Sequence, residues 1–190
     1  MKRLTNAHRQ SRTRQRGVAA VEFGIMLVPM LLMACGVAEF GRAIYQYDTL
    51  TKATRSAARY LSQYSPDDVA YPTAATKCLA AYGNTGCSGQ PLAPGLTTAM
   101  VIICDRVDSS GCPGATQTFS NVATYDSTGG GSGTQAGTVN LIAVRISGYT
   151  YTPLPSFINV SGLTFGDITT VMRQVLRNIP PIRSASHARA

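Results

Sequence analysis

Gly17–Ala38 reads GVAAVEFGIMLVPMLLMACGVA, a run of 22 residues that carries one charge, Glu22. At ~1.5 Å rise per residue, a helix of this length reaches about 33 Å, enough for a hydrocarbon core of ~30 Å. A core helix in a small soluble domain shows a polar face, and this stretch shows none. It reads as a transmembrane helix. Lys2, Arg3, Arg9, Arg12, Arg14 and Arg16 precede it, with no acid among the first sixteen residues. The positive-inside bias therefore keeps residues 1–16 in the cytoplasm and sends everything after Glu39 across the membrane in a single pass.

The rest of the composition fits that division. At 190 residues the chain has room for one domain plus extensions. Apolar residues make up 44% and charged residues only 14%, against a usual ~25% charged, which excludes a disordered polyelectrolyte. The formal charge of +8 belongs to the tail, because beyond residue 16 eleven basic residues face nine acidic ones. Six cations beside a membrane follow the topology bias and attract acidic headgroups. No aromatics are interleaved with them for base stacking, so no nucleic-acid partner is expected.

Glu22 needs a reason. A carboxylate at the centre of a membrane helix costs ~2.5–3.5 kcal/mol on insertion scales, which makes it a functional candidate. Gly17 directly follows the basic run and stands five residues before it. Cleavage after Gly17 would put a new amine on Val18, one helical turn before Glu22, where the two charges can neutralise each other within one chain or between neighbours.

Arg16-Gly17-Val18-Ala19-Ala20-Val21-Glu22-Phe23 resembles the processing site of type IV prepilin-like proteins. More narrowly, the stretch from Arg16 through Pro29 and Glu39-Phe40-Gly41-Arg42 to the Ala/Arg-rich segment ending at Leu61 resembles the TadE-like pseudopilins, or minor pilins, of tight-adherence (Flp) pilus systems. Phe23 stands where the pilin motif more often carries tyrosine. The resemblance implies a non-enzymatic subunit of the bacterial inner membrane, cut between Gly17 and Val18 by a prepilin peptidase. It implies that Glu22 and Phe23 serve assembly. Its implied partners are the peptidase, other pilins or pseudopilins, the inner-membrane assembly platform and the bilayer. The C-terminal domain would be periplasmic, and at the cell surface after assembly. An alternative is a membrane lipoprotein acylated at Cys35, since Leu32-Met33-Ala34-Cys35-Gly36 approximates a lipobox.

Past the membrane, Phe40, Ile44, Tyr47, Leu50, Thr54, Ala57 and Leu61 recur at helical spacing. One helix is expected over 17–63, bent at Pro29 and ended by Ser65-Pro66-Asp67-Asp68. A short helix is expected from Pro72 to Tyr82, stopped at Gly83-Asn84. Thr98–Cys104, Val139–Tyr151 and Thr164–Leu176 read as strands, with Pro153 and Pro155 closing the second. Ser127–Gly137 reads as a flexible connection. The expected fold is α+β: a long N-terminal helix packed on a small antiparallel sheet of three to four strands. The division is a basic leader (1–16), a transmembrane and extended helix (17–63) and an α+β domain (64–190).

Cys78, Cys87, Cys104 and Cys112 lie beyond the membrane and suggest two disulfides. Three pairings are open. Cys78–Cys87 and Cys104–Cys112 are favoured, because each pair brackets a short glycine-bearing loop. No metal or cofactor is expected, since there is no C-x-x-C and His8 and His187 lie in opposite tails. With no other histidine, a nucleophile has no evident base. Asp105, Asp108, Asp126 and Asp167 sit near turns, where capping is their ordinary role.

Overall fold

The computed structural model describes residues 15–112, 119–126, 133–153 and 164–175. Helix α1 (Gln15–Leu61) runs unbroken with Pro29 inside it. It is followed by α2 (Thr73–Tyr82), a single 3-10 turn (Thr98–Met100), β1 (Val101–Cys104), β2 (Val122–Tyr125), β3 (Gln135–Val139), β4 (Leu141–Ile146) and β5 (Ile168–Arg173). The chain divides at Arg42/Ala43 into two compact units. In the second unit, β1, β4 and β5 form an antiparallel sheet with β4 central, and β2 and β3 form a separate antiparallel pair. Val101 faces Ile146 and Cys104 faces Ala143 on one flank of β4, while Leu141 faces Arg173 and Ile146 faces Ile168 on the other.

The core forms where the C-terminal part of α1 meets this sheet. Leu50, Ala57, Ala58 and Leu61 pack with Ile142, Val144, Ile146, Val101 and Ile168. Each large side chain buried there contributes roughly 1.5–3 kcal/mol. Polar pins set the position of the helix along the strands. Thr54 Oγ1 lies 3.0 Å from Thr170 Oγ1, Val175 N–H donates to the Ser62 carbonyl at 2.8 Å, and Gln174 Nε2 donates to the Tyr64 carbonyl at 2.7 Å. Tyr149 is buried, and its hydroxyl donates toward Gln46 Oε1 and the Pro94 carbonyl, each at 3.1 Å. Phe165 meets the rings of Tyr47, Tyr149 and Tyr151.

α2 ends at Gly83, whose φ of 75° is left-handed and whose N–H donates to the Leu79 carbonyl. That geometry favours glycine because it carries no Cβ penalty. Disulfides join Cys78 to Cys87, with Cα atoms 4.7 Å apart, and Cys104 to Cys112, 6.3 Å apart. Cys104 sits with Phe119 and Ala143 in a small second core on the opposite face of the sheet.

Some local expectations differ from the structure. The helix does not present Phe40 and Ile44 inward: they are 67% and 54% exposed, and Tyr47 is 46% exposed. Leu50, Thr54, Ala57 and Leu61 of the expected stripe are buried, and Ala43, Gln46, Ala53 and Ala58 complete the inward face. The span 139–151 is not one strand, since Asn140 separates β3 from β4 and Gly148 turns the chain at φ 71°. Part of the expected connection, Gln135–Gly137, is strand β3. β2 (Val122–Tyr125) lies outside the three strands expected from the sequence. The basic leader up to Arg14, the stretch 127–132, Pro155, Leu176, His8 and His187 lie outside the described residues.

Candidate functional site

The candidate site is built on the N-terminal part of α1. From Gly17 to Arg42 no residue is buried. Val18, Val21, Phe23, Ile25, Met26, Val28, Met30, Leu31, Leu32, Met33 and Val37 are all exposed. At roughly 1.5–3 kcal/mol per fully buried side chain, leaving this half-covered set in water forfeits on the order of 10–20 kcal/mol. A patch of this size marks a membrane or protein partner. Among the described residues, α1 is the one helix long and apolar enough to cross a membrane.

Gly17, Val18, Glu22 and Phe23 all lie in the first two turns of this helix. Val18 and Glu22 stand at i and i+4, so they share a face. Both are exposed, and Glu22 has no ion-pair partner among the described residues. Gly17 is exposed, and nothing lies within 4 Å of where its Cβ would be. Packing therefore does not require glycine at this position. Further along, Arg42 and Glu39 approach to 3.9 Å at i,i+3. Cys35 is an exposed free thiol.

Residues 17–59 match the sequence model of the TadE-like protein family. This stretch is TadE-like. The match covers the whole apolar half of α1 and most of the part that packs on the sheet. The match and the apolar helix together support membrane association. No curated protein and no solved structure matches the chain.

Outside the TadE-like stretch, a cleft of about 490 Å³ opens between α2 and β1, lined by Tyr71, Lys77, Ile103, Asp105 and Asp108 among others. The Tyr71 hydroxyl is buried near the Asp105 carboxylate without meeting it in hydrogen-bond geometry. Burial, then the Asp105 charge, pushes the phenol well above its ordinary value. Asp105 Oδ1 is occupied by the N–H groups of Val107 and Asp108. Asp108 is held below the usual carboxylate range by Ser110, which donates its hydroxyl and its N–H. These acids shape a turn. Among the described residues, no three His, Cys, Asp or Glu side chains converge as a metal site would require.

The sequence reading did not single out the edge of β5. Thr169, Val171 and Arg173 alternate outward with period two, which marks the exposed face of the strand but not its free edge.

Proposed function

We propose that this chain is a pseudopilin of a tight-adherence (Flp) pilus, held in the bacterial inner membrane and released from its leader by a prepilin peptidase cutting between Gly17 and Val18. The observation that carries the reading is the bare apolar half of α1 lying within the TadE-like match. In this reading residues 1–16 are the cytoplasmic leader, 17–63 the transmembrane and extended helix, and 64–190 the periplasmic domain.

The mechanism is physical. The apolar helix stores the subunit in the bilayer, since moving it into water is opposed by the burial term above. Cleavage removes six cations that anchor the N-terminus on the cytoplasmic side. It also creates an ammonium on Val18, four residues from Glu22. Paired with that carboxylate, in the same chain or in a neighbour, it offsets the cost of holding a charge in an apolar environment. The assembly platform would then lift the helix out of lipid and into contact with other pilin helices, exchanging one apolar surrounding for another.

The test is the N-terminus of the protein purified from membranes, read by sequencing and by intact mass. A mature chain beginning at Val18 is expected. An uncut leader, or a chain beginning at an acylated Cys35, overturns the proposal.

A further inference from the structure

Among the described residues, β5 is an edge strand with one flank open. Gln174 N–H donates inward to the Asn140 carbonyl, and Val175 N–H donates outward to Ser62. Backbone groups alternate sides along a strand, so the N–H and C=O of Thr169, Val171 and Arg173 point off the free edge. Among the described residues nothing pairs with them. An open edge is a template for another strand, and proteins that avoid such pairing place proline, lysine or a bulge there. β5 has none of these: its register with β4 is unbroken from Ile168 to Arg173. The face beside the edge is also apolar. Val171 is 48% exposed and, with Leu141, Phe119 and Val122, lines a groove of about 670 Å³.

We propose that a second copy of this chain pairs antiparallel along β5, joining two three-stranded sheets into one of six. The charges select both the partner and the register. Asp167 and Arg173 lie at opposite ends of the edge on the same face of the sheet, six residues apart. An antiparallel two-fold pairing that sets Thr169 opposite Val171 of the other copy also sets Asp167 opposite the other copy's Arg173, and does so twice. Opposite charges directly across a strand pair are favourable, and each backbone-facing pair exchanges two hydrogen bonds. Asp167 already pairs with Arg145, so the second arginine completes an Arg–Asp–Arg cluster at each end. Val175, tied to Ser62, lies outside the paired stretch and bounds it. The contact is isologous, so it closes on itself as a dimer.

Cysteine pairs test the contact in the full chain, in native membranes under mild oxidation. Chains carrying Thr169→Cys mixed with chains carrying Val171→Cys are expected to give a disulfide-linked dimer, while either variant alone gives much less. Val171→Pro removes an N–H that points off the edge and leaves the bonds to β4 intact. In a second pair of chains lacking the residue-171 cysteine, Thr169→Cys and Arg173→Cys serve as the mismatched control and should not link. Separately, Val171→Pro is expected to abolish the native dimer seen with an amine-reactive cross-linker, with the thermal unfolding transition retained. No link between positions 169 and 171, equal linking in the mismatched pair, or a native dimer unchanged by Val171→Pro in a folded chain overturns the proposal.

Discussion

Replacing Tyr149 by phenylalanine removes one hydroxyl from the seam between α1 and the sheet. The ring itself is retained, so the packing against Phe165 is kept. What is lost is the donor to Gln46 Oε1 and the Pro94 carbonyl, each at 3.1 Å. Gln46 is 5% exposed, so water does not readily replace the lost partner. An orphaned buried acceptor costs ~1–3 kcal/mol, whereas removing both members of a pair is far milder. Tyr149→Phe should therefore destabilise the domain by about 1–3 kcal/mol, and Gln46→Met by a comparable amount. The double variant should fall short of their sum by about 1 kcal/mol or more, within the coupling range of contacting residues. Thermal unfolding of the detergent-solubilised full chain, followed by near-ultraviolet circular dichroism, reads this as shifts of about 2–8 °C per kcal/mol. Strictly additive shifts would show that the two side chains do not share a bond, and the account of how α1 is positioned would fail.

Four other perturbations test separate parts of the structure. Replacing Cys78 and Cys87 together by serine opens a ring with a sequence separation of 9 and should cost about 2–3 kcal/mol on the chain-entropy estimate, seen as a lower unfolding midpoint. Gly83→Ala places a Cβ in a left-handed turn and 3.2 Å from Leu92 Cδ2, so a loss of about 1 kcal/mol is expected in the same assay. Asp167 is held below the ordinary carboxylate range by the Ser147 hydroxyl first and Arg145 second. Its contribution is present above the unfolded carboxylate value of ~3.9 and disappears as pH falls through the lower folded value; Asp167→Asn should flatten that acid limb of the stability curve. Glu22→Ala should leave membrane insertion unchanged in a carbonate extraction and reduce incorporation into pili, and wild-type incorporation would remove the role proposed for this carboxylate.

The long helix was readable because twenty-two apolar residues leave little alternative, and α2 because Gly83 stops it. The face that α1 turns toward the sheet was less readable. Phe40 and Ile44 weigh heavily in an apolar pattern yet stay exposed, while Ala53 and Ala58, which carry little apolar weight, are buried beside Leu50, Ala57 and Leu61. β2 escaped because four residues, Val-Ala-Thr-Tyr, offer too little alternation to detect, and β3 because Gly137 within it argues for a loop. Asn140 broke the long apolar run for a tertiary reason. Its side chain accepts from Asn121 N–H and its carbonyl from Gln174 N–H, and neither partner is close in sequence. In the candidate site, Glu22 stood out as a lone carboxylate in an apolar run. The open edge of β5 did not, since whether a strand is central or peripheral is decided by pairing across the whole domain.

The two disulfides also bear on the order in which the domain matures. Each joins cysteines eight or nine positions apart, so both rings can close on a nascent segment that has just emerged. β1, in contrast, must wait for β4, some forty residues later, and β4 is not flanked on its other side until β5 follows. Oxidation can thus run ahead of sheet formation, and the late-arriving strands then assemble on a chain whose loops have already been shortened.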